Sequence, residues 1–153
     1  MQAWYRTPVP EMSEDDRTIA ASLLTLLGGD AGQRAIVAQS MGWPPAQRAS
    51  GTNWMAPYLA LSLIDRYDAV RYITGRTLAS LPGYETFGYD FVAPTEERAV
   101  KRRQALERWR ELRTRQGRRT DPQLLFTPDG NFMAETVDRL SAHRNNRNVF
   151  YRE

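Results

Sequence analysis

The histidine and the acidic residues are the side chains with which this sequence could do metal or acid–base chemistry. Such a centre needs several of them at a defined spacing. The chain has one histidine, His143, and no cysteine. The lack of cysteine excludes disulfides, thiolate metal sites, thioether haem attachment and a cysteine nucleophile within this chain. His143 follows the last predicted helix, where a partly charged imidazole suits the helix dipole, so we expect neither a metal ligand nor a catalytic base there.

The acidic residues and the glycines lack the spacing of known sites. Glu14–Asp16 form the charged first turn of a predicted helix. Asp121, Asp129 and Asp138 are not spaced like the ligands of a calcium loop. Gly28–Gly29 are followed by no lysine and preceded by no predicted strand, so they are not a phosphate loop. We therefore predict no catalytic, cofactor-binding or metal-binding residue, and we expect no enzyme.

Two arginines stand at matching places in the chain. Arg34 follows Asp30 and Arg71 follows Asp68, and each aspartate begins a predicted helix. In HEAT-like repeats an aspartate and an arginine so placed form hydrogen bonds along the stack of repeats. We predict this structural role for all four residues, with anion binding by the arginines as the alternative.

The arginines mark a helix pair that occurs twice. One copy runs from Ile19 to Gly42 and the other from Trp54 to Leu78, with Arg34 and Arg71 offset by 37 residues. HEAT and armadillo repeats have periods of about 40–47 residues. Such units bury their apolar faces only by stacking, and the stack presents a surface. The pattern favours a binding or scaffolding module.

The elements predict one all-α domain, because 153 residues suit a single core. It comprises a HEAT-like helical repeat of two stacked helical hairpins, a long basic helix and a short C-terminal helix. Its predicted parts are an extended N-terminal arm (1–13), the hairpins (14–81), an aromatic capping loop (82–94), and the basic helix, turn and C-terminal helix with its tail (95–153).

Cap and turn residues set the predicted helix boundaries. One helix is expected over Glu14–Leu27, and Pro44–Pro45 predict a loop as far as Asn53. The predicted N-caps are Ser13, Asp30, Asn53, Asp68 and Asn131. Ser13 with Asp16, and Asp30 with Gln33, have the spacing of capping boxes.

Apolar residues of both helix pairs predict one continuous core. Its expected members are Leu24, Leu27, Ile36, Leu61, Ile64, Ile73 and Leu78. Four aromatic residues without a helical period are expected to cover the end of the stack: Tyr84, Phe87, Tyr89 and Phe91.

The charge is concentrated in one helix. The net charge is +3, but residues 96–119 alone contain ten basic and four acidic residues, a net +6. This helix could bind phosphates or could be a solvated face with pairs between neighbouring turns. Its Arg102, Arg103 and Arg110 are candidate protein-interface residues. No apolar run approaches the ~20 residues that span a membrane.

The N-terminal arm contains the other interface candidates. Trp4 and Tyr5 precede the first helix and belong to neither repeat, and Arg6 follows them. Aromatic residues and arginine are enriched among the side chains that dominate binding energy at interfaces.

Several segments together resemble the C-terminal HEAT-like helical region of bacterial multihaem c-type cytochromes. These segments are Ala3–Tyr5, Gly29–Asp30, Gln33–Arg34, Met41–Trp43, Tyr67–Ile73, Leu81–Gly83, Tyr89–Pro94 and Arg144–Val149. In that family the helical region follows the last Cys-x-x-Cys-His haem-binding motif. This chain has no such motif, so no haem ligand is carried over and none is bound covalently.

The resemblance implies a non-enzymatic accessory subunit or domain that docks on a cytochrome-containing electron-transfer assembly. The partner would be a c-type cytochrome or a redox or photosynthetic membrane complex, with any haem or pigment on the partner. It implies a periplasmic or extracytoplasmic setting. The first residues do not resemble a signal peptide, so a cytoplasmic setting is expected if Met1 is the true start.

Two other functions remain open. One is a nucleic-acid-binding HEAT-like module that uses the arginine-rich helix, for which binding would depend steeply on salt. The other is a HEAT-like enzyme such as a chromophore lyase, which would need a pocket with a buried acid.

Overall fold

The computed structural model describes residues 11–146 and places eight α-helices among them. They are α1 (Glu14–Thr18), α2 (Ala21–Gly28), α3 (Ala31–Met41), α4 (Pro44–Ser50), α5 (Met55–Ser62), α6 (Asp68–Ala79), α7 (Thr95–Gln116) and α8 (Ala134–Ala142). A 3₁₀ turn at Pro122–Leu124 and a single antiparallel bridge between Phe126 and Phe132 complete this part of the chain. The all-α prediction is confirmed.

The helices pack in two pairs with two further helices against them. α2 packs on α3 and α5 packs on α6, and the contact between α3 and α6 joins the pairs. α7 lies against α5, and α8 lies against α2. One hydrophobic core extends through all of these contacts, from Ile19 and Leu23 to Trp109 and Val137.

Two of the predicted helix starts are confirmed. The Asp16 N–H donates to Ser13 Oγ at 3.1 Å, and the Gln33 N–H donates to Asp30 Oδ1 at 2.9 Å. In both cases the third residue returns a hydrogen bond to the backbone of the cap, which makes a complete capping box. The other predicted caps are wrong: α5, α6 and α8 have Trp54, Tyr67 and Met133 at their N-caps, without side-chain cap bonds.

The single helix expected over Glu14–Leu27 is also wrong, because the chain is extended at Ile19 (φ −110°, ψ 141°). Ile19 is buried at this break, and the Ala20 N–H donates to the Gln123 carbonyl oxygen at 2.9 Å. The burial of Ile19 and the hydrogen bond from Ala20 to Gln123 thus stabilise an extended break where a continuous helix was expected. Local helix propensity is weak enough for such contacts to override it.

The loop expected over Pro44–Asn53 contains a helix, α4. Its two prolines occupy the first helical turn, where a missing N–H costs nothing. Proline therefore ends α3 and at once begins α4. The interpretation of Pro44–Pro45 only as a helix stop was wrong.

The predicted core is correct in part. Leu27 and Leu78 are buried, and Leu24, Leu61 and Ile73 are half-buried against the core. Ile36 and Ile64 are exposed, at 68% and 37%. α3 buries Arg34, Ala38 and Met41, which share one face, and Ile36 lies on the opposite side.

The aromatic loop after α6 packs closely against its neighbours. Tyr84 is buried and its hydroxyl donates to the Ala105 carbonyl oxygen at 2.8 Å, and burial raises the pKa of this phenol. The Tyr89 hydroxyl donates to the Leu63 carbonyl oxygen. Phe91 meets the Tyr72 ring edge to face at 5.1 Å between centroids. The loop thereby connects α5, α6 and α7.

The basic helix α7 packs against the core through three apolar side chains. Trp109 is buried, and Leu106 and Leu112 are half-buried against the core. Trp109 donates from its indole N–H to the Asn53 carbonyl oxygen at 3.1 Å. Among the described residues, no helix is long and apolar enough to cross a lipid bilayer.

Truncation of the buried leucines tests the core. Leu27→Ala or Leu78→Ala should lower the free energy of unfolding by about 2–5 kcal/mol, because each leaves a cavity. Ile36→Ala is the control, and its exposed site should change stability by no more than about 0.5 kcal/mol. Urea unfolding followed by circular dichroism measures all three. Equal losses at buried and exposed sites would contradict this core.

Gly75 offers a test of the aromatic loop. A Cβ at Gly75 would lie 2.5 Å from Cδ1 of Tyr89. Glycine to alanine within a helix ordinarily stabilises by about 0.5–1 kcal/mol, but we expect Gly75→Ala to destabilise by about 1–3 kcal/mol through overpacking. In Gly32→Ala the nearest atom would lie 3.4 Å away, at Asp30, so thermal unfolding should reveal no loss. Stabilisation by Gly75→Ala would show that Tyr89 is not packed there.

Candidate functional site

The most unusual side chain in the interior is Arg34, which is completely buried. Its guanidinium forms a bidentate ion pair with Asp65, with Nε to Oδ2 at 2.9 Å and Nη2 to Oδ1 at 3.0 Å. Neither side chain is exposed at all. Asp65 lies in the link between α5 and α6, so the pair joins α3 of one helix pair to the link of the other. The planar guanidinium matches both carboxylate oxygens, which a lysine could not do.

The same guanidinium also holds two backbone segments. Its Nη1 donates to the carbonyl oxygen of Gly29 at 2.6 Å and to that of Asn145 at 3.2 Å. Gly29 lies between α2 and α3, and Asn145 lies beyond α8. Arg34 therefore connects both helix pairs with the segment that follows α8.

A second arginine, Arg144, reaches Asp65 from that segment. Its Nη1 donates to Asp65 Oδ2 at 3.2 Å and its Nε to the Leu27 carbonyl oxygen at 3.1 Å. Burial lowers the pKa of the Arg144 guanidinium, and the nearby Asp65 carboxylate opposes this shift. The adjacent Asn145 N–H donates to the Gly28 carbonyl oxygen at 3.0 Å. The segment after α8 is thus tied to the C-terminal end of α2.

Arg71 holds the start of α6. Its Nη1 donates to the carbonyl oxygens of Asp65 and Arg66 at 2.8 and 3.0 Å, and its Nε donates to that of Phe91 at 2.8 Å. Its Nη2 pairs with Asp68, three residues earlier on α6. Asp68 is the first residue of α6 and not its N-cap, which is Tyr67, and its carboxylate is engaged by Arg71.

Asp65 is the residue that sequence analysis missed. Its carboxylate accepts hydrogen bonds from Arg34, Arg144 and the Tyr67 N–H, the last at 3.0 Å. The two arginines and the backbone N–H therefore occupy both of its carboxylate oxygens. The available clue was an aspartate directly after an apolar helix. We call Arg34, Asp65, Arg71 and Arg144 the arginine–aspartate network, and its geometry is that of a structural joint.

The candidate interface residues of α7 differ in exposure. Arg103 and Arg110 are exposed and have no hydrogen bond or ion pair to any described residue. Arg102 is half-buried and lines a cleft of about 270 Å³ together with Asp138 and Arg144. The other candidates, Trp4, Tyr5 and Arg6, lie outside the described residues.

Several other cations of α7 act as packing side chains. Lys101 lies over the Phe87 ring at 5.3 Å, Arg108 over Tyr84 at 5.8 Å and Arg113 over Trp109 at 4.9 Å. Arg113 also donates to the Gly130 carbonyl oxygen at 2.8 Å. Their stems cover apolar surface while their charged ends meet rings and carbonyl oxygens.

The exposed charges of α7 balance each other. Its four glutamates are all exposed: Glu96, Glu97, Glu107 and Glu111. The exposed basic residues of α7 are Arg103, Arg108, Arg110 and Arg115. The basic residues in excess are half-buried: Arg98, Lys101, Arg102 and Arg113. The outer face of α7 is therefore mixed in sign, although the helix sequence is strongly basic.

His143 follows the last turn of α8 and is exposed, with Nδ1 2.7 Å from the Arg139 carbonyl oxygen. Within the described part of the chain, no three acidic or histidine side chains lie together as metal ligands would. In comparisons with protein-family models, curated proteins and solved structures, nothing matched this chain.

Removing the charge of Asp65 tests the joint. Asp65→Asn keeps the shape of the side chain but leaves the buried Arg34 and the nearby Arg144 without a counter-charge, so the free energy of unfolding should fall by about 3–5 kcal/mol. Asp68→Asn is the matched control. Its carboxylate is 69% exposed, and its loss should cost no more than about 1 kcal/mol. Denaturant unfolding measures both, and equal effects would refute the central place of Asp65.

Proposed function

We propose that this chain is a HEAT-like repeat with a non-enzymatic role. In this proposal it is an accessory or scaffolding subunit or domain that docks on a cytochrome-containing electron-transfer assembly, respiratory or photosynthetic. Haem or pigment belongs to the partner, which is a c-type cytochrome or a redox or photosynthetic membrane complex. The setting is the periplasm or the extracytoplasmic face of the membrane.

The observation that carries the proposal is where the residues of the family resemblance meet. Gly29, Arg34, Arg71, Phe91 and Asn145 come from five separate segments, yet all of them bond within or to the arginine–aspartate network. Segments scattered over the sequence thus meet in one network of hydrogen bonds. This convergence supports the resemblance as one of fold.

The repeat interpretation draws on the same contacts. Arg34 of the first helix pair bonds to Asp65 of the second, and the pairs pack through α3 and α6. Hydrogen bonds between successive units are what the repeat hypothesis expects of Arg34. Its partner is Asp65, whereas Asp30 caps α3.

The charges of the interior support a scaffold over an enzyme. Among the described residues, Asp65 is the buried carboxylate, and its oxygens are occupied by donors. A chromophore lyase or similar enzyme would need a buried acid that can exchange a proton with its substrate. Asp65 is poorly suited to that role.

The balanced face of α7 bears on the nucleic-acid alternative. Binding to phosphates scales with the number of cations that face the backbone, and the exposed arginines of α7 are interleaved with as many glutamates. Mixed charge suits a protein partner, where complementary pairs set orientation and association rate. Arg103 and Arg110, with the N-terminal arm, are the proposed docking residues.

A pull-down tests the proposal. The tagged full chain, incubated with periplasmic extract and detergent-solubilised membranes, should retain a protein that stains for covalent haem or carries pigment absorbance. The purified chain alone should show no haem absorbance and no enzymatic turnover. Trp4→Ala with Tyr5→Ala should abolish retention, since aromatic anchors dominate interface energy.

A matched charge variant completes this experiment. Arg103→Ala should slow association with the retained protein at low salt, whereas Arg66→Ala removes an exposed arginine outside α7 and should leave the rate unchanged. Surface plasmon resonance gives both rates. Retention of nucleic acid alone, or unchanged retention by the Trp4/Tyr5 double variant, would overturn the proposal.

A further inference from the structure

A cleft of about 270 Å³ lies where the end of α5, the basic helix α7 and α8 approach one another. Its lining comes from four parts of the chain: Leu61 and Ile64 at and just after the end of α5, Arg102 of α7, Val137, Asp138 and Ser141 of α8, and Arg144 after α8. Two guanidinium groups, a carboxylate and a hydroxyl thus share one cleft with three aliphatic side chains. Such a lining selects a ligand by its charge as well as by its shape.

The charges of the arginine–aspartate network do not balance. Asp65 accepts hydrogen bonds from both Arg34 and Arg144, so one carboxylate serves two guanidinium groups. Arg71, the remaining arginine of the network, has its own counter-charge in Asp68. One positive charge is therefore left over. Arg144 is the network arginine that reaches the cleft, and its side chain is only 15% exposed.

Arg102 and Asp138 add one charge of each sign to the cleft, and they do not neutralise each other by contact. Neither side chain has a hydrogen bond or ion pair with any residue between positions 11 and 146. Counted together, the cleft and the buried pair contain three arginines, Arg34, Arg102 and Arg144, and two aspartates, Asp65 and Asp138. The group therefore has one positive charge in excess. A ligand with a single negative charge would neutralise it.

The donors that face no acceptor suit a carboxylate. Arg144 uses Nε for the Leu27 carbonyl oxygen and Nη1 for Asp65, which leaves Nη2 without an acceptor in the described part of the chain. The whole guanidinium of Arg102 and the hydroxyl of Ser141 are in the same position. A guanidinium binds a planar carboxylate through two parallel hydrogen bonds. The cleft thus offers more donors than one carboxylate needs.

The apolar side chains of the cleft indicate what the carboxylate is attached to. Ile64 is 37% exposed, although its neighbours in the cleft, Leu61 and Val137, are half-buried and buried. An inorganic anion would leave Ile64 in water, whereas an aliphatic chain would cover it and gain the free energy of that burial. The cleft is slightly smaller than the ~300–1,000 Å³ pockets of drug-sized ligands. The aliphatic part is therefore short.

We infer that this cleft binds a single carboxylate attached to a short aliphatic group, with the carboxylate on Arg102 and Arg144 and the aliphatic part against Ile64. The one negative charge of the ligand matches the one positive charge in excess. A dianion would bring a second negative charge close to Asp138. The inference goes beyond the proposed function and does not depend on it, because the purified chain binds this ligand without any partner.

Two sources have this chemistry, a free aliphatic acid and the C-terminal end of a peptide. Two-dimensional NMR of the isotope-labelled full chain, at low chloride concentration, follows the Nε–Hε signal of Arg102 during titration with butyrate, hexanoate or N-acetyl-leucine. Each should give a saturable shift, and hexanoate should bind more tightly than butyrate, by about fourfold for each methylene group buried. If N-acetyl-leucine binds more tightly than hexanoate, the source is a peptide end, and the reverse order indicates a free acid.

Two charge variants should move the affinity for hexanoate in opposite directions. Arg102→Gln should raise the dissociation constant at least about tenfold, because charge-assisted hydrogen bonds are lost. Asp138→Asn should lower the dissociation constant by about two- to tenfold, because a like charge beside the carboxylate is removed. Arg115→Gln is the matched control, since it removes an exposed arginine of α7 that does not line the cleft. It should bind hexanoate like the unchanged chain.

The uncharged N-acetyl-leucinamide and sulfate complete the experiment. N-acetyl-leucinamide lacks the carboxylate and should give no saturable shift, and sulfate should bind more weakly than hexanoate. Absence of a saturable shift with all three carboxylates, tighter binding of sulfate than of hexanoate, or weakening by Asp138→Asn would overturn the inference. Equal weakening by Arg102→Gln and Arg115→Gln would overturn it as well. The remaining signals of each spectrum verify that the variant is folded.

Discussion

The ion pair between Arg34 and Asp65 is the interaction on which the arrangement of helices depends. Taking two charges out of water costs several kcal/mol for each, and only close geometry with further hydrogen bonds offsets this cost. Here the geometry is bidentate, and Nη1 of Arg34 donates to two backbone carbonyl oxygens. A pair of apolar side chains could stabilise the core equally well, but it would not fix the position of α3 relative to the link before α6. The ion pair fixes how α3 lies relative to the link before α6.

Some local features of the fold could be predicted from the sequence, and features that depend on distant residues could not. The box of Asp30 and Gln33 involves neighbours in the chain and was predicted correctly. Asp65 acquires its role from residues 31 and 79 positions away, so no local pattern identifies it. The break at Ile19 has the same origin, because the backbone acceptor for Ala20 is Gln123.

The basic helix illustrates how sequence charge and surface charge differ. An arginine contributes to a binding surface only where its guanidinium faces solvent, and Arg113 is committed to a ring and a carbonyl oxygen. The candidate site was therefore predictable in part. The identity of Arg103 and Arg110 as cations on α7 follows from sequence, but the glutamates interleaved with them on the exposed side become evident only from the structure. Net charge overstates how basic this face is.

The bond between Arg34 and Asn145 also determines the order in which the molecule can be completed during synthesis. These partners are 111 residues apart, and Arg144 and Leu27 are separated by 117. At about 5–20 residues per second, α2 and α3 are synthesised roughly 5–25 s before their last partners. During that interval water must solvate the carbonyl oxygens of Leu27 and Gly28, whose partners are Arg144 and Asn145. The nascent helices therefore remain open on this side until the segment after α8 arrives and excludes the water.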